Sequence, residues 1–260
     1  MMNRKNQLAG SGSIYLISGI ALLAAVIVGA ATIRASADSR MGTDQLVEKA
    51  RMVFESFAAD SNMGAFDDLI KHAKGVLIVP QVLKGAFIFG ASGGSGVFLV
   101  WDDKTGKWGG PAFYTIGSAS FGLQIGGSAS EVMLLAMTER GVKAMLSSSF
   151  KLGGDAGIAA GPIGVGASAA TANLSADILS FSRARGLYGG ISLDGAIVAI
   201  REGWNRAYYG RTVDPIDILL LQDARKPQAA SLIEAVEKAS GKKGIEREKE
   251  SRRIKRSYRS

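Results

Sequence analysis

The sequence contains no cysteine and a single histidine, His72. Without cysteine the chain forms no disulfide, has no thiolate nucleophile and offers no sulfur ligand to a metal. A Ser-His-Asp triad would have to use His72, which lies at the end of a predicted short helix, outside the glycine-rich part of the chain. We therefore predict a protein that is not an enzyme, with no catalytic residue, no bound metal and no cofactor.

The middle of the chain also lacks a surplus of basic residues. The net charge of +8 comes from the two ends, with Arg4, Lys5 and Arg34 near the start and nine Lys and Arg against three Glu from Gly241 onward. A nucleic-acid-binding domain carries its positive charge on the folded surface, so we predict no nucleic-acid partner. The charge-dense segment 241–260 is typical of a basic disordered tail.

The first 37 residues have the pattern of an export segment. Arg4 and Lys5 precede an apolar run from Ile14 to Ile33, and Ala35-Ser36-Ala37 supplies the small residues that signal peptidase recognises. We predict a signal peptide over 1–37, cleaved before Asp38. About 20 apolar residues can also span a bilayer, so an uncleaved inner-membrane anchor is the alternative. Both predict a periplasmic or otherwise exported domain in the cell envelope.

Two helices are predicted in the N-terminal segment 38–74. Thr43 can cap a helix that runs to Asp60, with Phe54 and Phe57 at helical spacing on its apolar face. A second helix is predicted from about Gly64 to His72. In the C-terminal segment 211–240, Asp214-Pro215 opens a short helix, and a last helix is predicted from Gln228 to Ser240.

Between these segments, runs of β-branched residues separated by glycines predict antiparallel strands. Pro80 is expected to end the first strand, and Gly93-Gly94 to form a turn between the next two. Separate strands are predicted from Pro111 to Ile116 and from Ser120 to Ile125. The cluster from Asp102 to Gly106 predicts a hairpin turn flanked by Trp101 and Trp108.

One helix is predicted inside this β region. Ser128-Ala129-Ser130-Glu131 matches a capping box, and the apolar run from Val132 to Met137 is typical of a helix buried on all sides. The predicted fold class is therefore α+β, with mainly antiparallel β-strands packed around a buried central helix and with N-terminal and C-terminal helices.

Fragments of catalytic motifs do not assemble into a site. Ser148-Ser149-Phe150-Lys151 and Lys104-Thr105-Gly106 match pieces of the penicillin-recognising enzymes, but their order is reversed and the serine-aspartate-asparagine element between them is missing. The glycine-rich stretches Gly90 to Gly96 and Gly161 to Gly166 precede strands rather than helices, so they lack the helix N-terminus of a phosphate cradle.

An ordered series of glycine-centred motifs extends over the predicted domain, 75–210, and it resembles the SYLF domain family. The motifs are Gly75-Val76-Leu77-Ile78-Val79-Pro80, Lys84-Gly85-Ala86-Phe87, Gly93-Gly94-Ser95-Gly96-Val97, Trp108-Gly109-Gly110-Pro111-Ala112, Gly122-Leu123-Gln124-Ile125-Gly126-Gly127, Leu152-Gly153-Gly154-Asp155, Ala160-Gly161-Pro162-Ile163-Gly164, Ser180-Phe181-Ser182-Arg183-Ala184-Arg185-Gly186-Leu187-Tyr188-Gly189-Gly190 and 205–210.

This resemblance implies lipid binding and a mixed fold of strands and helices. Eukaryotic members bind phosphoinositides and associate with actin patches. For a bacterial exported member we expect only the binding of phospholipid, or of an anionic membrane surface, to transfer. Lys84, Lys151, Arg183 and Arg185 lie within the motifs and are the candidates for clamping a lipid phosphate; solvated or salt-bridged side chains are the alternative.

Membrane contact by the first helix is a second possibility. Phe54 and Phe57 could lie at the headgroup boundary, as in an amphipathic interfacial helix, or could pack onto the sheet instead. The basic tail could add attraction to anionic lipid. The alternative function is a structural or scaffold protein that uses the glycine-rich β domain to bind other proteins, whose identity the sequence does not indicate.

Overall fold

The computed structural model describes residues 42–86, 89–121, 126–162, 175–184, 187–189 and 193–242. The predicted export segment, Arg185 and the tail after Lys242 lie outside these described residues. Within them, no helix is long and apolar enough to cross a membrane.

A nine-stranded, mostly antiparallel sheet forms the centre of the fold. Its order is β5-β9-β3-β2-β1-β4-β7-β6, and β8 pairs with β7. Among the strands that the structure describes, β6 and β7 are the one parallel pair. The strands are β1 (Gly75–Ala86), β2 (Phe89–Asp102), β3 (Lys107–Phe121), β4 (Gly126–Ala136), β5 (Ser149–Lys151), β6 (Ile158–Ala160), β7 (Ile178–Ala184), β8 (Leu187–Gly189) and β9 (Ile197–Ile200).

Helices lie at both ends of the domain, so the predicted α+β class is confirmed. They are α1 (42–58), α2 (Gly64–Ile70), α3 (Glu139–Leu146), α4 (Glu202–Tyr209), α5 (Pro215–Leu219) and α6 (Ala230–Ser240), with 3-10 turns at Ser61–Met63 and Pro227–Ala229. The predicted start of α5 is confirmed, because Asp214 and Asp217 form a capping box around Pro215. α6 ends at Gly241, which adopts a left-handed conformation with φ 63°.

The prediction of a buried central helix is wrong. The segment from Gly126 to Ala136 is strand β4, and the helix after it, α3, is capped by Thr138 rather than by a serine of the apparent capping box. Val132 and Leu134 belong to one core cluster, while Met133 and Leu135 belong to the other. A strand buried on both faces has the same continuous apolar sequence as a buried helix.

Three predicted strand boundaries are also wrong. β1 continues past Pro80, because the proline lies in a β-bulge where the register shifts between Ile78 and Gln81, and a bulge tolerates a residue without an N–H donor. Gly93 and Gly94 lie inside β2 rather than in a turn. Likewise β3 is one strand through Gly117. The Trp101–Trp108 hairpin is confirmed by direct pairing of the two residues.

The sheet separates two hydrophobic clusters, because alternate side chains of each strand point to opposite faces. Val76 and Ile78 pack with α1, α2 and α6 on the first face. Leu77 and Val79 pack on the second face with residues of α3 and α5, including Val142 and Ile218. Both faces of the sheet centre are therefore covered by helices.

The outer edge of β3 is closed by α4 over part of its length. The Phe113 backbone N–H donates to Asn205 Oδ1 at 2.8 Å, the Arg201 N–H donates to the Phe113 carbonyl at 2.8 Å, and the Tyr209 hydroxyl donates to the Pro111 carbonyl at 2.8 Å. These bonds replace a neighbouring strand and explain why Asn205 is fully buried.

Candidate functional site

The four longest strands continue beyond the part of the sheet that the helices cover. We call this region, residues 82–86, 90–94, 116–120 and 126–130, the sheet extension. β9 pairs with β3 only from Tyr114 to Gly117, and β7 pairs with β4 only from Glu131 to Ala136. After Gly117 of β3 and before Glu131 of β4, the described sheet is four strands wide. Most of the described side chains of the extension are exposed or half-buried.

One face of the sheet extension carries a polar row. The register places Ser118, Ser92, Lys84 and Ser128 directly opposite one another on β3, β2, β1 and β4. Directly opposed residues project to the same face, with Cβ atoms about 5 Å apart. The Ser92 and Ser118 hydroxyls lie 2.8 Å apart and are hydrogen-bonded, and Lys84 is exposed. An ammonium group beside hydroxyls can bind a phosphate, carboxylate or carbonyl oxygen.

The opposite face carries an apolar row across four strands. Leu83, Gly93, Gly117 and Ile197 are paired in sequence on β1, β2, β3 and β9. Leu83 is 56% exposed and Ile197 is 54% exposed, and only two glycines lie between them. The row is therefore a shallow channel with an aliphatic side chain at each end and bare backbone as its floor.

The glycines of this face are not required by packing within the chain. A Cβ atom at Gly93 or Gly117 would meet its nearest neighbour at 3.7 or 3.5 Å, and one at Gly85 would meet nothing within 4 Å. By contrast, a Cβ at Gly94 would lie 2.4 Å from the Gln81 carbonyl oxygen, and one at Gly96 would lie 2.5 Å from that of Ile78. Glycine in an open strand often marks close approach by another molecule.

Arg201 borders the apolar row. Its guanidinium donates to Ser95 Oγ at 2.6 Å and stacks over the Trp204 ring at 3.6 Å from the centroid. Burial lowers the pKa of this guanidinium, but the group remains charged at neutral pH. It fixes the start of α4 against β2 and adds positive charge beside the apolar row.

Of the four predicted phosphate-binding cations, the three described ones are not brought together. Lys84 lies on the polar face, whereas Lys151 pairs with Ile197 and therefore belongs to the opposite face. Arg183 is engaged by its own chain, and Arg185 lies outside the described residues. Phosphate binding by the individual side chains stays a prediction.

Arg183 holds α1 against the sheet. Its guanidinium forms an ion pair with Glu131 at 2.5 Å, donates to Ser56 Oγ at 2.9 Å, lies 3.6 Å from Asp60 and stacks over the Phe57 ring at 4.7 Å. The alternative of a salt-bridged side chain therefore applies to this residue.

Phe54 and Phe57 are fully buried in the first cluster, and both rings pack edge-on against Phe66. Of the two arrangements expected for α1, the structure has the one docked onto the sheet. The apolar periodicity of α1 is compatible with membrane contact and with docking onto the sheet. Docking is explained by Phe66 and Phe181, whose rings pack edge-on and complete an aromatic cluster with those of α1. Met52, at 50% exposure, is the apolar residue that α1 presents outward.

The described residues contain no catalytic constellation. His72 is exposed and its Nδ1 contacts the Asp68 carbonyl of its own turn at 3.0 Å. Lys104 and Thr105 lie in the turn after β2, where the Thr105 hydroxyl donates to Asp102 at 2.7 Å. Within the part of the chain that the structure describes, no three His, Cys, Asp or Glu side chains are placed to hold a metal.

No sequence motif predicts the apolar row, the polar row or Gln222, a buried residue near α5. Leu83 and Ile197 alternate with buried or polar neighbours as ordinary strand residues do, so nothing local distinguishes them. The serines and glycines of the extension instead suggested turns. Only the pairing register, which brings residues of four strands into one row, reveals these surfaces.

Comparison with known proteins gives a family model and relatives whose names agree with one another. Residues 117–239 match the family described as Ysc84, Las17-binding protein actin regulator. The chain is 32% identical over 180 residues to an SH3 domain-containing YSC84-like protein 1 of Bos taurus, which covers 68% of this chain and 52% of that protein. It is 32% identical over 173 residues to Protein YSC84 of Saccharomyces cerevisiae, 63% of this chain and 36% of that protein.

A LAS seventeen-binding protein 3 of the same yeast is 31% identical over 172 residues, 63% of this chain and 37% of its own length. The chain therefore spans about half, or less, of the length of the relatives it matches. The name of this last relative describes a binding protein, and the family description refers to Las17 binding and actin regulation.

Proposed function

Because the chain contains a domain of the Ysc84 family, also called SYLF, we propose that it is a non-catalytic binding protein and that the sheet extension binds a protein partner. The observation that carries this proposal is the apolar row. Leu83 and Ile197 are both more than half exposed, and the glycines between them have no packing role within the chain. The name LAS seventeen-binding protein 3 and the family description, which both refer to a protein partner, support the same class of function.

A flat partner surface fits the apolar row best. Bare backbone between two aliphatic side chains permits close approach by another strand or by a helix with small residues, and burying Leu83 and Ile197 would remove apolar surface from water. Each fully buried aliphatic side chain contributes about 1.5–3 kcal/mol of transfer free energy before the cost of association. Such a row can supply the centre of a modest interface.

Photo-crosslinking tests this proposal. A photoreactive amino acid is placed at Leu83 in the full chain, in the cells that make the protein. We expect one defined protein adduct. The matched control places the same amino acid at Ile216, which is 49% exposed on α5, outside the apolar row. Equal adducts at both positions, or none at Leu83, would contradict the proposal.

The purified partner then allows a quantitative test. We expect Leu83→Asp and Ile197→Asp each to weaken binding by about tenfold or more, because a carboxylate would be desolvated in an apolar contact. Ile216→Asp should leave the dissociation constant unchanged. Binding that survives both substitutions on the apolar row would place the interface elsewhere.

The polar row favours lipid headgroups as a second candidate ligand. Lys84 and its neighbouring serines present donors to an anionic oxygen. Co-sedimentation of the full chain with phosphatidylcholine vesicles, with and without phosphatidylserine, tests this. We expect salt-sensitive binding only to the anionic vesicles, reduced by Lys84→Gln and unchanged by Lys104→Gln in the exposed turn. No binding to either vesicle would exclude this candidate.

Export to the cell envelope remains a proposal that rests on the N-terminal sequence alone. Fractionation of the producing cells, with the size of the mature chain measured by mass spectrometry, tests it. A chain starting at Asp38 in the soluble exported fraction is expected for the cleaved form. A full-length chain in the membrane fraction would instead indicate the anchor, and a cytoplasmic chain would contradict both.

A further inference from the structure

A groove of about 690 Å³ lies at the opposite end of β3 from the sheet extension. Its walls are the start of β3, the loop after α5 and the outer surface of α6. Its apolar lining residues are Trp108 and Ile218, which are buried, and Ile233, which is half-buried; Gln222, Arg225 and Glu234 contribute polar groups. We call it the Gln222 groove. Its volume is within the range of binding sites for ligands of several residues or for drug-sized molecules.

Gln222 has three unusual properties. Its side chain is only 9% exposed, its amide nitrogen Nε2 is buried with no acceptor within hydrogen-bonding distance among the described residues, and its φ of 54° is left-handed. A buried unpaired donor costs stability, as does the left-handed backbone of a non-glycine residue. Such costs are typically kept where a ligand later uses the group.

The orientation of the Gln222 amide is set by Arg225. The Arg225 guanidinium donates to Gln222 Oε1, which leaves Nε2 as the unpaired donor. On the other side Gln222 packs against Gly109, where a Cβ atom would lie 3.2 Å from Gln222 Cγ and 2.2 Å from the Leu219 carbonyl oxygen. The glycine therefore makes room for the glutamine, which lines the groove together with Arg225.

The opposite wall carries a carboxylate. Glu234 is exposed on α6 and lines the same groove. A polypeptide backbone offers both carbonyl acceptors and N–H donors, so it can satisfy both walls at once. A phosphate or a fatty acid could pair with Arg225, but it would offer no donor to Glu234 and would be repelled by its charge.

We propose that the Gln222 groove binds an extended peptide segment of a protein partner. The segment presents a backbone carbonyl to Gln222 and Arg225 and a backbone N–H to Glu234, and it packs an apolar side chain against Ile233. This site is separate from the sheet extension, since β3 passes through the sheet between them, and the two sites are tested by different variants.

The first test needs no ligand. In the full chain, Gln222→Met replaces the unpaired amide with an apolar side chain of similar length. Because Gln222→Met also removes the Oε1 acceptor of Arg225, Arg225→Gln, which breaks that hydrogen bond and keeps Nε2, is the reference variant. If Nε2 has no partner, the Tm of Gln222→Met should lie about 2–4 °C above that of Arg225→Gln, as measured by circular dichroism. A Tm of Gln222→Met below that of Arg225→Gln would show that Nε2 is used within the folded protein and would overturn the proposal.

The second test uses random peptides displayed on phage and selected on the full chain. We expect an enriched sequence with an apolar residue at a fixed position and no acidic residue beside it. Its synthetic peptide should bind about tenfold or more weakly to both Gln222→Met and Arg225→Gln, and equally well to the control Leu221→Ser. Its addition should shift the NMR signal of the Trp108 indole N–H.

Two outcomes contradict the peptide site. One is that no sequence is enriched over selection on a Gln222→Met, Arg225→Gln double variant. The other is that an enriched peptide binds the variants as tightly as the native chain. Since Leu83 and Ile197 are unaltered here, failure of this site leaves the proposal for the sheet extension untouched, and the converse also holds.

Discussion

Arg183 shows how one residue type in a family motif can have a role that its sequence context does not reveal. Its side chain is 14% exposed and contacts Glu131 of β4, Ser56 of α1 and the ring of Phe57. A guanidinium suits this position because it forms several directed hydrogen bonds while its flat surface stacks on an aromatic ring.

We predict that Arg183→Ala lowers the free energy of unfolding by about 2–3 kcal/mol. The substitution removes the ion pair and the stacking contact and leaves Glu131, which is 30% exposed, without its partner. Urea titration measures the change. Lys71→Ala, which breaks an exposed pair with Asp68, is the control and should cost about 0.5 kcal/mol or less. Equal effects of the two substitutions would show that Arg183 does not hold α1.

Asp177 provides a prediction for acid stability. Its pKa lies below the ordinary value because it accepts hydrogen bonds from the Thr138 hydroxyl at 2.6 Å and the Gly157 N–H at 3.0 Å, with Arg140 nearby. A carboxyl group with a lowered folded-state pKa stabilises the fold above its unfolded pKa, and this contribution is lost as the pH falls through the folded pKa.

We therefore expect Asp177→Asn to be less stable than the native chain at pH 7 and to lose less stability between about pH 4 and pH 2, the window below the unfolded pKa of 3.8. Urea titrations at several pH values measure the slope. Glu234→Gln, at an exposed position on α6, should leave the slope as it is. An Asp177→Asn slope equal to that of the native chain would contradict the lowered pKa.

At the scale of the elements, β2 contains two adjacent glycines that differ in the space available for a side chain. Gly94 lies at the β-bulge, where a Cβ atom would come within 2.4 Å of the Gln81 carbonyl oxygen. Gly93 lies on the apolar face, where the nearest atom to a Cβ would be 3.7 Å away. Neither the identity nor the order of these residues distinguishes them in the sequence.

We predict opposite effects for the two alanine substitutions. Gly94→Ala should destabilise the protein by about 1–3 kcal/mol, because backbone atoms on both strands must move. Gly93→Ala should be neutral or stabilise by about 0.4–1 kcal/mol, because alanine restricts the unfolded chain. Thermal unfolding measures both. If Gly93→Ala nevertheless weakens partner binding, the bare backbone of the apolar row is used for close approach.

The elements also show where prediction from sequence succeeds. α1, α2, α5 and α6 carry clear caps or a one-sided apolar pattern, and all were predicted within a few residues. The apolar run of β4 predicts a helix because its side chains face two cores. The residues that match a capping box are strand residues at the start of β4. The strand register, which decides the candidate site, depends on a bulge at Pro80 that no local pattern specifies.

At the scale of the whole molecule, one sheet contributes side chains to two cores. Because adjacent residues of β1 and β4 point into different cores, neither cluster can lose its packing without loosening strands that the other needs. Phe66 is central to the first cluster, since its ring contacts Phe54, Phe57 and Phe181 edge-on.

We predict that Phe66→Ala lowers the free energy of unfolding by about 3–5 kcal/mol, and that far-ultraviolet circular dichroism and tryptophan fluorescence still report one transition. Both signals should shift to the same lower urea concentration. Ile216→Ala, at a position that is 49% exposed, is the control and should shift the midpoint little. Separate midpoints for the two signals would show that the cores unfold independently.

The limited pairing of β7 and β9 has a further consequence for solubility. Within the described residues, no strand covers the outer side of β3 after Gly117 or of β4 before Glu131. Uncovered backbone of this kind invites other chains to add to the sheet and to aggregate. Serine, alanine and glycine dominate there, and these poor strand formers give an intruding chain little side-chain contact in return. The same serine, alanine and glycine content that predicts turns here therefore also disfavours aggregation through these uncovered strand edges.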